Sequence, residues 1–147
     1  MNYQLEIEIK LSRSKVIELF DNPDNMPKWQ PGLISFEPLS GTPGQVGAKS
    51  RLRYKMGSRD IEMIETITER NLPDVFSGTY ETKGVWNEVI NRFEEISPEK
   101  TLWVSDVTFK FSGMMKLMAT AMPGAFKKES FKFMQNFKEF AESDVVE

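Results

Sequence analysis

Residues 3–11 alternate strictly. Tyr3, Leu5, Ile7, Ile9 and Leu11 fall on one face, and Glu6, Glu8 and Lys10 on the other, the period-two signature of a half-buried strand. Ser12 or Ser14 then offers a cap for a short helix carrying Val16, Ile17, Leu19 and Phe20. Asn22-Pro23-Asp24-Asn25 stops it. A second short helical piece ends at Trp29-Gln30-Pro31-Gly32, because a proline disfavours helix at the residue before it. Residues 33–39 read as a second strand, and residues 40–44 as a wide turn.

Two hairpins can be read in register. With Gly57-Ser58 as a two-residue turn, Tyr54 faces Ile61, Leu52 faces Met63 and Ala48 faces Ile67, while Lys55 meets Asp60 and Arg53 meets Glu62. Apolar meets apolar and plus meets minus, and a slip of one residue would destroy both matches. The same register sets Ser50 opposite Glu65 on the apolar face. With Lys83-Gly84 as the next turn, Tyr80 faces Asn87, Gly78 faces Val89 and Phe76 faces Asn91, with Glu88 and Arg92 outward. Beyond it, Trp103, Ser105, Val107, Phe109 and Phe111 alternate with Asp106, Thr108 and Lys110. Keeping Phe93 and Trp103 on one face requires a connecting loop of odd length, roughly three or five residues.

From Phe126 the period changes. Ser130, Phe133, Met134, Phe137, Phe140 and Ala141 recur at spacings of three and four, with lysines and glutamates between them. This is an amphipathic helix over residues 125–143, roughly 28 Å long. Seven strands span about 29 Å, so the helix can cover the sheet. The expected fold class is α+β: a seven-stranded curved antiparallel sheet wrapped around a long C-terminal helix, with two short helices after the first strand. One helix cannot fill such a sheet, which leaves a concave apolar space of the kind that holds small molecules.

The chain resembles the START-like superfamily, also called SRPBCC, whose helix-grip fold includes the major birch-pollen allergen, lipid-transfer domains and polyketide cyclases. The resemblance rests on the element order, on Val16-Ile17-Glu18-Leu19-Phe20-Asp21-Asn22 followed by Trp29-Gln30-Pro31-Gly32-Leu33, and on residues 131–142. It covers residues 1–147 as one ligand-binding domain. It implies binding, transport or sensing of a lipid, sterol, polyketide, quinone or similar molecule in a cavity between sheet and helix, and it implies no single reaction.

The expected pocket is lined by Leu52, Tyr54, Met63, Glu65, Phe76, Tyr80, Asn87, Val89, Asn91, Trp103, Val107 and Phe109 from the sheet. Met118, Phe126, Ser130, Phe133 and Phe137 come from the C-terminal part. Ser50, Glu65, Tyr80, Asn87, Asn91 and Ser105 are polar on the inward face. A sealed core would penalise each unpaired group by about 1–3 kcal/mol, and a cavity would tolerate them. If the protein is a cyclase or aromatase, Glu65 and Tyr80 are the pair that can move protons; a structural bond from Glu65 to Ser50 is the plainer reading. Trp29 anchors the second short helix, Trp103 faces the cavity and Trp86 faces out. An interaction module is the further alternative, with Trp86 on its contact surface. The methionine-rich residues 113–124 are either a lid over the mouth or ordinary packing of a first helical turn.

Composition narrows the chemistry. The 147 residues contain no cysteine and no histidine, which removes thiol nucleophiles, zinc thiolates, the serine–histidine–acid triad and the commonest metal ligand. Catalysis is therefore the less favoured reading, and no cofactor or metal is expected. The net charge of −3 argues against nucleic acid as partner. The basic run Lys49, Arg51, Arg53, Lys55 and Arg59 is answered by Asp60 and Glu62 across the hairpin. Residues 41–44 lack the lysine and the following helix of a phosphate loop. No stretch has the form of a signal peptide or a bilayer span, so a cytoplasmic protein with a small apolar ligand is expected.

Overall fold

A computed structural model describes residues 1–144. Strand β1 (Asn2–Ile9) leads to helix α1 (Arg13–Phe20), a 3-10 turn at Pro23–Asn25 and helix α2 (Met26–Trp29). Strands β2 (Leu33–Ser40), β3 (Lys49–Met56), β4 (Arg59–Asn71), β5 (Val75–Thr82), β6 (Val85–Ser97) and β7 (Lys100–Phe111) follow as a meander. Helices α3 (Met114–Ala121) and α4 (Pro123–Asp144) end the described chain. Among the described residues, no helix is long and apolar enough to cross a membrane.

The strands form one antiparallel sheet in the order β1-β7-β6-β5-β4-β3-β2. Both predicted registers are present. Tyr54 faces Ile61, Leu52 faces Met63 and Ser50 faces Glu65 across β3 and β4, and Tyr80 faces Asn87 and Phe76 faces Asn91 across β5 and β6. Charge pairing on the outer face follows, with Glu62 held by Arg51 at 2.8 Å and by Arg53 at 3.5 Å.

The β6–β7 connection differs from expectation. Phe93 does lie opposite Trp103, but Ser97 pairs with Lys100, so only Pro98 and Glu99 form the loop. The register shifts between Glu95 and Ser97. A bulge at Ile96 restores the parity that an odd-length loop was expected to supply. The methionine-rich segment also differs, because it forms α3 as a helix of its own rather than the first turn of α4.

One cap fixes the start of α1, and three contacts set the helices against the sheet. Ser12 caps α1 by accepting from the Lys15 backbone N–H. Asp21, just past α1, holds Arg70 of β4 through two bonds of 2.8 and 2.7 Å. Lys138 of α4 donates to the Glu8 carbonyl at 2.7 Å, and Tyr3 of β1 is bonded to Ser130 at 2.7 Å and to the Phe126 carbonyl at 3.1 Å. The long helix thus lies along the edge strand β1 with its Met134, Phe137 and Ala141 face turned inward.

Candidate functional site

The interior has a solid end and a hollow end. At the solid end Phe137 is fully buried. Its ring lies 5.1 Å from that of Trp29, 5.4 Å from Trp103 and 5.9 Å from Phe20. Phe93 stacks on Trp103 at 5.9 Å, and Leu5, Ile9, Val16 and Leu19 close the layer behind.

At the hollow end, Met63, Tyr80, Asn87, Val89 and Phe109 face inward from central strands and yet keep accessible surface. A cavity of about 540 Å³ accounts for it, within the roughly 300–1,000 Å³ typical of small-molecule sites. The sheet supplies Leu52, Tyr54, Met63, Tyr80, Asn87, Val89, Asn91, Trp103, Val107 and Phe109, and α4 supplies Phe126, Ser130 and Phe133, as the alternation places them. Ser105 joins them.

Four residues expected on the wall lie elsewhere. Phe137 belongs to the solid end. Phe76 packs behind Phe20, ring to ring at 6.0 Å, and Phe20 takes the place on the wall. Met118 is turned outward, 42 % exposed, because its helical position falls on the outer side of α3, and Met115 reaches the mouth instead. Glu65 is buried beneath the wall rather than on it.

Alternation could have found Met56, Ile61, Thr82 and Val85, which share the inward parity and also line the space. No local signal marks Met26, Trp29 and Gln30 of the α1–α2 region, or Ala125, Glu129 and Met134 of α4, as lining residues. Their place depends on how the helices dock.

The wall is apolar with a few placed polar groups. Tyr54 donates to Gln30 Oε1 at 2.6 Å. Trp103 Nε1 donates to Asn91 Oδ1 at 2.9 Å, and Asn87 Nδ2 donates to the Thr108 carbonyl at 3.1 Å. Glu65 shares a hydrogen bond with Tyr80, directly across the β4–β5 ladder. Burial pushes the Glu65 carboxyl above its ordinary value, against the pull of that bond. Burial and the neighbouring Glu65 charge hold the Tyr80 hydroxyl well above its own ordinary value, and burial raises that of Tyr54.

Trp86 faces the outer side of the sheet, as expected, but Lys110 covers it with its ammonium 4.7 Å from the ring centre. Only a shallow groove of about 290 Å³ remains beside it.

A profile of the family described as polyketide cyclase / dehydrase and lipid transport matches residues 2–142. No curated protein matches the chain. Among solved structures, a conserved protein from Geobacillus kaustophilus is 18% identical with a TM-score of 0.81, covering 97% of this chain and 96% of its own. The Zhui aromatase/cyclase from Streptomyces sp. R1128 is 13% identical with a TM-score of 0.78, covering 99% and 95%. Norcoclaurine synthase of Thalictrum flavum, in complex with a transition-state analogue, is 11% identical with a TM-score of 0.75, covering 99% and 96%. At these identities the likeness is one of fold.

Proposed function

The chain belongs to the polyketide cyclase / dehydrase and lipid transport family, and from that premise we propose that it binds a small, mostly apolar molecule in the hollow between its sheet and α4, as a carrier or sensor. The observation that carries this reading is the cavity of about 540 Å³ with an apolar wall and a few convergent polar groups. Burying apolar surface there is worth roughly 25 cal/mol per Å², and the polar groups orient the guest.

One observation favours a second reading, turnover by a cyclase- or aromatase-like reaction: Tyr80 reaches the cavity with Glu65 bonded behind it. Two features weigh for the carrier. Glu65 is buried and does not line the cavity, and Tyr80, its hydroxyl held well above its ordinary value by burial, is a poor proton donor.

The test is titration with N-phenyl-1-naphthylamine, an apolar dye that brightens in dry pockets. Saturable binding of one dye per chain supports the proposal. A linear, unsaturable signal contradicts it. Glu65→Gln should leave the dye affinity unchanged. A reaction found with a polyketide-like substrate and lost in that variant would favour the enzyme.

A further inference from the structure

The charge distribution around the hollow is lopsided in one respect. Among the described residues, its wall includes no lysine or arginine, and its one carboxylate, Glu129, is exposed at the mouth. Inside, a polar row crosses the concave face strand by strand: Ser50 faces Glu65, Glu65 faces Tyr80 and Tyr80 faces Asn87. Ser50 and Glu65 are buried, and Tyr80 and Asn87 emerge on the wall.

The emerging groups are neutral and only half used. Asn87 commits one of its two amide N–H groups to Thr108, which leaves the second N–H as a donor and Oδ1 as an acceptor. Tyr80 shares one bond with Glu65, and a phenol can take part in more than one. A hydroxyl or carbonyl placed between them exchanges water bonds for protein bonds at little cost. A carboxylate placed there would lose its hydration with no cation to answer it. An ammonium would find no carboxylate on the inner wall either.

Resting on the reading of this hollow as a guest's site, we infer that the guest is an uncharged molecule bearing a hydroxyl or carbonyl. That group lies between Tyr80 and Asn87, and the apolar remainder lies along Val89, Val107 and Trp103. Carboxylate-bearing lipids are excluded.

The experiment compares three ligands of one chain length, 1-dodecanol, dodecanoate and dodecylammonium, at pH 7.5, read by the fluorescence of Trp29 and Trp103 with Trp86 replaced by Phe. Dodecanol should bind at least about tenfold more tightly than either ion, a difference of about 1.4 kcal/mol. Asn87→Leu should weaken dodecanol by about two- to tenfold relative to wild type. Equal or tighter binding of either ion overturns the inference while leaving the hollow as a binding site. Unchanged dodecanol affinity in Asn87→Leu overturns the placement of the hydroxyl. If neither the three ligands nor the dye binds, the proposed function itself fails and this inference with it.

Discussion

Glu65 lies directly across the β4–β5 ladder from Tyr80 and is hydrogen-bonded to it, buried and off the wall that a guest would touch. The carboxyl is therefore a support for the wall, held in a place that penalises its charge.

That placement has a pH signature. Burial raises the Glu65 pKa above its ordinary 4.5, so over the interval above 4.5 the folded chain holds a proton that the unfolded chain has lost. Stability from this site is fully present below 4.5 and is lost as pH rises through the folded value. Glu65→Gln removes the dependence. Urea denaturation should find the variant close to wild type at pH 4 and increasingly more stable than wild type as pH rises toward 8. A gap that stays constant with pH would contradict the assignment.

The two ends of the interior should respond differently to truncation. Phe137→Ala empties a fully enclosed site among Phe20, Trp29 and Trp103 and should cost about 3–5 kcal/mol. Phe133 already borders the hollow, so Phe133→Ala removes fewer packed contacts and should cost below about 2 kcal/mol. Equal losses in chemical denaturation would mean that both ends are solid.

Filling the hollow should be tolerated. Val89 projects from the middle of β6 into the cavity, between Gly78 on β5 and Val107 on β7. Val89→Phe places its ring in space that is already there. Its stability should stay within about 1 kcal/mol of wild type, where a closed core would lose about 1–3 kcal/mol to overpacking. N-phenyl-1-naphthylamine affinity should fall at least about tenfold.

Tyr3 ties β1 to the start of α4 through Ser130 and the Phe126 carbonyl. Both of those residues line the cavity. Tyr3→Phe should cost about 0.5–1.5 kcal/mol. It should also speed hydrogen exchange in the first turns of α4 more than in β6 or β7. Uniform acceleration across the chain would show that the bond does no more than add global stability.

Much of the fold was legible because several levels of pattern agreed. At Gly57-Ser58, the turn chemistry, the apolar face and the ion pairs of Arg53 with Glu62 all demanded one register, and that register is present. At Ser97 the turn chemistry was silent about the bulge at Ile96, so parity was assigned to the loop. For the cavity, alternation tells which face a side chain takes, not how far along that face the helices fill the space. Hence Asn87 and Phe109 are on the wall while Phe76, on the same inward face, packs against Phe20 away from the cavity. Glu65 shows the same limit in depth, since its face was readable and its burial off the cavity wall was not. Phe20, Met26 and Gln30 reach the cavity from helices whose docking depends on distant contacts such as Asp21 with Arg70.

The most direct test of the account is native mass spectrometry of the freshly purified protein, repeated after denaturing extraction. The account predicts a fraction of the chains carrying one bound molecule. That molecule should be uncharged and mostly apolar, be released on unfolding, and be absent or greatly reduced in Val89→Phe. Bare chain alone in the wild type, with no adduct formed after incubation with 1-dodecanol, would contradict it.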